Sequence, residues 1–179
     1  METFAPPSEF VGHARYAHDR KAALAALDLA AIDAPIVDVI EGFAALTHCF
    51  TLSSCYGHFI CSPDQDPSSL DPIRPHPAGP IRYRIAYVAL CIENSPPGRE
   101  LRESLARVPA IDPDTVQFGS PTWFCRHWPR FNCYALQVEP ARCSNRDEAM
   151  LEPAEAHQVQ RTRDLFFREL RTLLAAERT

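Results

Sequence analysis

Lysine is almost missing from this chain: of its 18 basic Lys and Arg residues only Lys21 is a lysine. Glycine is scarce as well. The six glycines stand at positions 12, 42, 57, 79, 98 and 119, and no two are close enough for G-x-G-x-x-G or a P-loop. A Rossmann-type cofactor loop is therefore not expected. There is no H-E-x-x-H, no G-x-S-x-G and no C-x-x-C. No apolar run nears the roughly 20 residues that cross a bilayer. The start, METFAPPSEF, lacks the basic-then-apolar layout of a secretory signal. A soluble cytoplasmic protein with reduced thiols is expected, because the seven cysteines cannot all pair internally. The formal net charge of -5 argues against a protein that coats nucleic acid nonspecifically. Neither a membrane nor DNA is expected as a partner.

What is present reads as one α+β domain over residues 1–179, with 46% hydrophobic and 23% charged residues. The expected architecture is a mixed or antiparallel sheet of about five to six strands, packed with N-terminal helices and a long C-terminal helix. Residues 13–31 are rich in Ala and Leu and contain no Gly or Pro, which predicts a helix. Asp33 is placed to cap a second helix, with Pro35 in its first turn. Ile36, Val37, Ile40, Phe43 and Ala44 recur there at helical spacing and form a candidate buried stripe. Cys49–Ser54 is β-prone, Gly57 breaks it, and a second strand follows. Residues 62–80 hold Pro63, Pro67, Pro72, Pro75, Pro77 and Pro80, and no regular element survives that density of proline. Residues 81–93 alternate as one long strand. A short helix follows from Gly98 to Val108. Strands are expected at Thr115–Phe118, Thr122–Arg126 and Asn132–Glu139. From Asp147 to Glu177 the chain reads as mainly helix, with Val159, Thr162, Phe166, Leu170, Leu173 and Leu174 on its buried face.

The segment Thr51–His58, TLSSCYGH, is the expected functional centre. Small polar side chains precede a glycine at a turn, which can aim backbone N–H groups and hydroxyls at one spot. His58 titrates near neutral pH and can act as acid, base or donor. The plain structural alternative is a tight turn with a buried Cys55 and capping serines. Cys55, His58 and Cys61 are also a possible metal set, with Cys125, His127 or Cys133 completing the shell. That spacing is not the pair of tight ligand pairs zinc favours, and no metal is assigned. His48-Cys49 invites comparison with cysteine phosphatases, but the position six residues on is Cys55, not arginine, and that reading fails.

The stretch AIDAPIVDVIEGFAALTHCFTLSSCYGHF resembles the tRNA wybutosine-synthesizing protein 3 family. Ile32, Asp33 and Ile36 match the family's S-I-D-x-x-I segment. Thr51, Ser53, Ser54, Cys55 and Gly57 match its T-x-S-S-C-S-G-R strand-turn. FNCYALQVEP at 131–140, followed by a long helix, is similar to the family's final strand and helix. The resemblance implies an α+β fold and methyl transfer from S-adenosylmethionine to a modified guanosine in tRNA. It puts Ser53, Ser54, Cys55 and His58 at the reacting centre, with Thr51 and Gly57 at the methyl donor. His58 stands where the family has arginine. The family's K-G-G-x-W has no close counterpart beyond residues 119–123.

In PTWFCRHWPRFNCY, aromatic residues interleave with basic ones. Trp123, Arg126 and Arg130 are expected as outer contacts to an RNA substrate, aromatic faces stacking on bases and arginines meeting phosphates. The alternative is a hairpin whose aromatics pack on the core. Two other readings of the whole chain stay open. One is a noncatalytic module that holds an anionic ligand or RNA at the SSCYGH turn. The other is a structural domain stabilised by metal at Cys55, Cys61 and later Cys and His residues.

Overall fold

A computed structural model describes residues 5–77, 79–121, 131–143 and 147–177. Helices α1 (Tyr16–Ala26) and α2 (Val37–Ala45) lead into strands β1 (Cys49–Cys55) and β2 (His58–Ile60). After the proline-rich stretch come β3 (Ile81–Arg84), β4 (Ala86–Ile92), α3 (Pro96–Arg107) and β5 (Val116–Gly119). Strand β6 (Cys133–Val138), strand β7 (Glu148–Leu151) and helix α4 (Pro153–Ala176) follow among the described residues. It is α+β, as expected. The strands form two antiparallel sheets, one of four in the order β1-β4-β6-β5 and one of three in the order β2-β3-β7.

The two sheets explain why the expected long strand at 81–93 is two. Chain direction changes at Ile85, whose N–H bonds to Asp147 O instead of a ladder partner. The chain crosses between the sheets here, and it crosses again between β1 and β2 at Tyr56-Gly57. The two crossings touch. Gly57 has φ +89, and a Cβ there would lie 2.8 Å from the Cβ of Ala86. Only glycine fits both the left-handed backbone and the contact. The break after Ser54 predicted from Gly57 is thus a change of sheet, not a hairpin turn.

Helix α2 and the turn before it bury Ile36, Val39, Ile40 and Phe43 in the core, where α2 packs on β1 and α4. Burying each such side chain contributes about 1.5–3 kcal/mol. Val39, not the expected Val37, faces the core, because a 3-10 turn over Ala34–Ile36 precedes the helix and shifts its phase. A Cβ on Gly42 would come 2.7 Å from Leu174, so glycine permits the close approach of α4. On the opposite face of the four-stranded sheet, Tyr16 of α1 packs on Phe50 and Cys91. Arg20 of α1 donates to the carbonyls of Ala44, Leu46 and Cys49, fixing the turn between α2 and β1.

The expected helix over 13–31 stops at Ala26. Asp28 accepts from its neighbour Ala30 N–H at 3.0 Å, a local bond that competes with helix continuation. Glu148–Leu151 was expected within the last helix and is instead an edge strand paired with β3. Its residues favour helix locally, and pairing with β3 overrides them. Helix α4 buries Val159, Thr162, Phe166, Leu170 and Leu174 as expected, and also Ala156, Arg163 and Phe167. Among the described residues, no helix is long and apolar enough to cross a membrane. The strand expected at Thr122–Arg126 lies outside the described residues.

Candidate functional site

The turn after β1 draws three ionisable side chains together. Ligand atoms of Asp33, Cys55 and His58 all lie within 4.8 Å of one another. Asp33 comes from the segment before α2, Cys55 ends β1 and His58 opens β2. Cys55 and His58 are buried. Asp33 is partly open, with 23% of its side chain exposed.

Each of the three has a backbone partner. Asp33 Oδ2 accepts from Tyr56 N–H at 2.7 Å. Cys55 Sγ accepts from Gly57 N–H at 3.4 Å. His58 Nδ1 lies 3.2 Å from Ser69 O, which directs an Nδ1–H to that carbonyl and leaves Nε2 to face Asp33 Oδ2 at 3.5 Å. Ser69 belongs to the proline-rich stretch, so that loop covers the site. Gln160 of α4 helps hold it there by accepting from Ile73 N–H at 2.8 Å.

One correction to the sequence reading follows. Asp33 starts a 3-10 turn but makes no side-chain cap bond to it. Its carboxylate goes instead to an N–H and a cation across the turn, which together stabilise it more than a cap would. The N–H groups of Tyr56 and Gly57 at this turn meet the chain's own Asp33 and Cys55 side chains.

The electrostatics follow from this arrangement. The neighbouring Asp33 carboxylate raises the His58 pKa from 6.5 to about 10, helped by Cys55 and opposed by burial. Burial pushes Asp33 upward, but the bonds from His58 and Tyr56 N–H outweigh it and hold the carboxyl below its ordinary value. The shift favours the protonated imidazolium of His58 facing the Asp33 carboxylate.

Two further cations frame the turn. Arg163 of α4 is buried, donates to Gly57 O at 3.0 Å and lies over the ring of Tyr56, 4.0 Å from its centroid. Arg84 pairs with His58 across β2 and β3 and is exposed. Sequence reading missed both. Arg163 is visible as a polar residue within the apolar stripe of α4, but nothing local says which partner it meets.

The remaining expected residues fall in a neighbouring groove. Thr51, Ser53 and Ser54 line a groove of about 390 Å³ between β1 and the segment after α1, with Asp28, Ile32 and Leu52. Leu52 is a bulge residue without a partner on β4, and the bulge re-aims the residues around it. Ser53 Oγ lies 2.9 Å from Tyr87 Oη. The groove adjoins the cluster through the chain neighbours Ile32-Asp33 and Ser54-Cys55. Cys61 and Cys133 do not join the Asp33 cluster, and Cys125 and His127 lie outside the described residues, as do Trp123, Arg126 and Arg130. Cys49 is no nucleophile: burial pushes its thiol up to about 12, and its Sγ contacts Phe43 O at 3.3 Å.

No family model matches the chain, and no curated protein matches it. It is similar to the solved structure of the PH1069 protein from Pyrococcus horikoshii, with a TM-score of 0.48 and 11% identity over 89% of this chain and 94% of that one.

Proposed function

We propose that this protein is an S-adenosylmethionine-dependent methyltransferase-like enzyme of the cytoplasm that acts on a modified guanosine in tRNA or a related nucleotide. The observation that carries this reading is the convergence of Thr51, Ser53 and Ser54 on one groove with the carboxylate of Asp28. Hydroxyls and a carboxylate beside apolar walls suit a ligand with ribose hydroxyls, a flat base and cationic centres. These hydroxyl residues are also those that resemble the wybutosine-synthesizing motif. His58, held as an imidazolium, would donate to the substrate or stabilise negative charge on it. Cys55 has no covalent role, since orienting donor against acceptor is the main task in such a transfer. Trp123, Arg126 and Arg130 remain the proposed outer contacts to RNA.

Calorimetric titration of S-adenosylmethionine into the chain tests the reading. Micromolar affinity is expected, weakened about tenfold by Ser54→Ala, equivalent to about 1.4 kcal/mol. Absence of binding up to millimolar cofactor, or an affinity unchanged in a Ser53→Ala, Ser54→Ala double variant, would refute it.

A further inference from the structure

The Asp33 and His58 ligand atoms stand at the separation of two ligands on one ion, wider than a tight charge-assisted hydrogen bond. Charge-assisted N–H···O bonds between such groups run to about 2.7–2.9 Å. His58 Nε2 instead stands 3.5 Å from Asp33 Oδ2. Two nitrogen or oxygen ligands on one tetrahedral ion stand about 3.4 Å apart, and a sulfur and a nitrogen about 3.5 Å, given bond lengths of about 2.0–2.3 Å. The three ligand atoms, all within 4.8 Å of one another, need shift by only about 1 Å to enclose such an ion.

The surroundings have the form that a metal site needs. A ligating histidine gives its other ring N–H to a carbonyl, and ligating carboxylates are themselves hydrogen-bonded. Here His58 Nδ1 is directed to Ser69 O. Asp33 Oδ2 is held by Tyr56 N–H and Cys55 Sγ by Gly57 N–H. All three atoms are thus oriented by backbone groups, two of them on the turn that Gly57 makes possible. No other His, Cys, Asp or Glu among the described residues joins them.

We infer that Asp33, Cys55 and His58 form a binding site for a divalent transition-metal ion, zinc by its ligand chemistry, with a fourth position open toward solvent on the side of Asp33. One thiolate, one imidazole and one carboxylate suit zinc better than calcium or magnesium, which take oxygen ligands. Three protein ligands leave a coordination place for water or substrate. The ion replaces the His58 proton as the positive charge that balances Asp33. The site shares His58 with the proposed methyl-transfer reading: once His58 ligates the ion, the ion supplies the positive charge that the imidazolium would otherwise offer beside the groove.

The test uses untagged full-length protein, made metal-free with chelator and titrated with Co²⁺. One equivalent is expected to bind, with a near-ultraviolet thiolate-to-cobalt charge-transfer absorption and visible bands of a tetrahedral ion, both abolished by excess Zn²⁺. Cys55→Ser loses the charge-transfer band. Asp33→Asn and His58→Gln weaken affinity by more than the roughly 10–100-fold typical of an outer-shell partner. Cys61→Ser changes nothing. Far-ultraviolet circular dichroism checks that each variant is folded. A wild-type chain that shows no charge-transfer band with equimolar Co²⁺ overturns the inference, and so does a band that survives Cys55→Ser. Titration of S-adenosylmethionine into the same metal-free protein separates failure here from failure of the methyl-donor reading.

Discussion

Asp33→Asn is the substitution that probes the site most directly, because it removes one charge and almost no volume. In the metal-free protein the carboxylate faces His58 Nε2 at 3.5 Å. Unit charges at that separation attract by roughly 5 kcal/mol at an effective dielectric of about 20. Asp33 is 23% exposed, and solvent screening lowers this to about half. Half of that attraction corresponds to about 2 pH units in the His58 titration, at about 1.4 kcal/mol per unit. The His58 pKa should therefore fall from about 10 by about 2 units in the variant. The stability effect has a definite sign. The wild-type His58 pKa is raised above 6.5, so its contribution is full below about 6.5 and disappears as pH rises through about 10. The Asp33 pKa is lowered, so its contribution is present above its ordinary 3.8 and fades as pH falls through the depressed value. The variant should thus be less stable by about 2–3 kcal/mol near pH 6, with the difference closing toward pH ~10 and again in strong acid. NMR titration of the histidine ring protons and urea unfolding at several pH values measure both quantities. A wild-type His58 that titrates near its ordinary value would refute the reasoning. A stability difference that is the same at neutral and high pH would refute it too.

Other substitutions probe the frame that holds the site. Gly57→Ala combines a φ of +89 with a Cβ 2.8 Å from that of Ala86, and should cost about 2 kcal/mol or more in urea unfolding. Arg163→Met keeps some packing but leaves Gly57 O without its donor and removes the cation over Tyr56; a loss of about 2–3 kcal/mol is expected, with faster amide exchange at Tyr56 and Gly57. Arg20→Ala frees three carbonyls at the turn into β1, and should lower stability by about 2–4 kcal/mol while leaving the His58 titration unchanged. Cys55→Ser should retain most of any methyl transfer to a nucleotide acceptor, measured with labelled donor; complete loss with intact folding would give the thiol a role in the reaction.

The sequence by itself determined most of the local structure. Apolar periodicity marks α2 and α4 because a helix can bury a stripe only at that spacing. The proline density of residues 62–80 excluded regular structure for lack of N–H donors, and Gly57 marked the end of β1 because the backbone there needs a positive φ. Periodicity could not divide residues 81–93 into β3 and β4, since both pieces are β-prone and the break at Ile85 is set by which sheet each half joins. For the same reason it could not find β7, whose residues favour helix until β3 supplies a partner. The site divides in the same way. Cys55 and His58 were legible from their turn, but the partner that fixes their charge, Asp33, lies more than twenty residues earlier and looked like a helix cap. Local sequence states which groups a side chain can bond. Only the packing of α2 and α4 against the corner between the sheets decides which of them it meets, and that packing brings Asp33, Cys55 and His58 together.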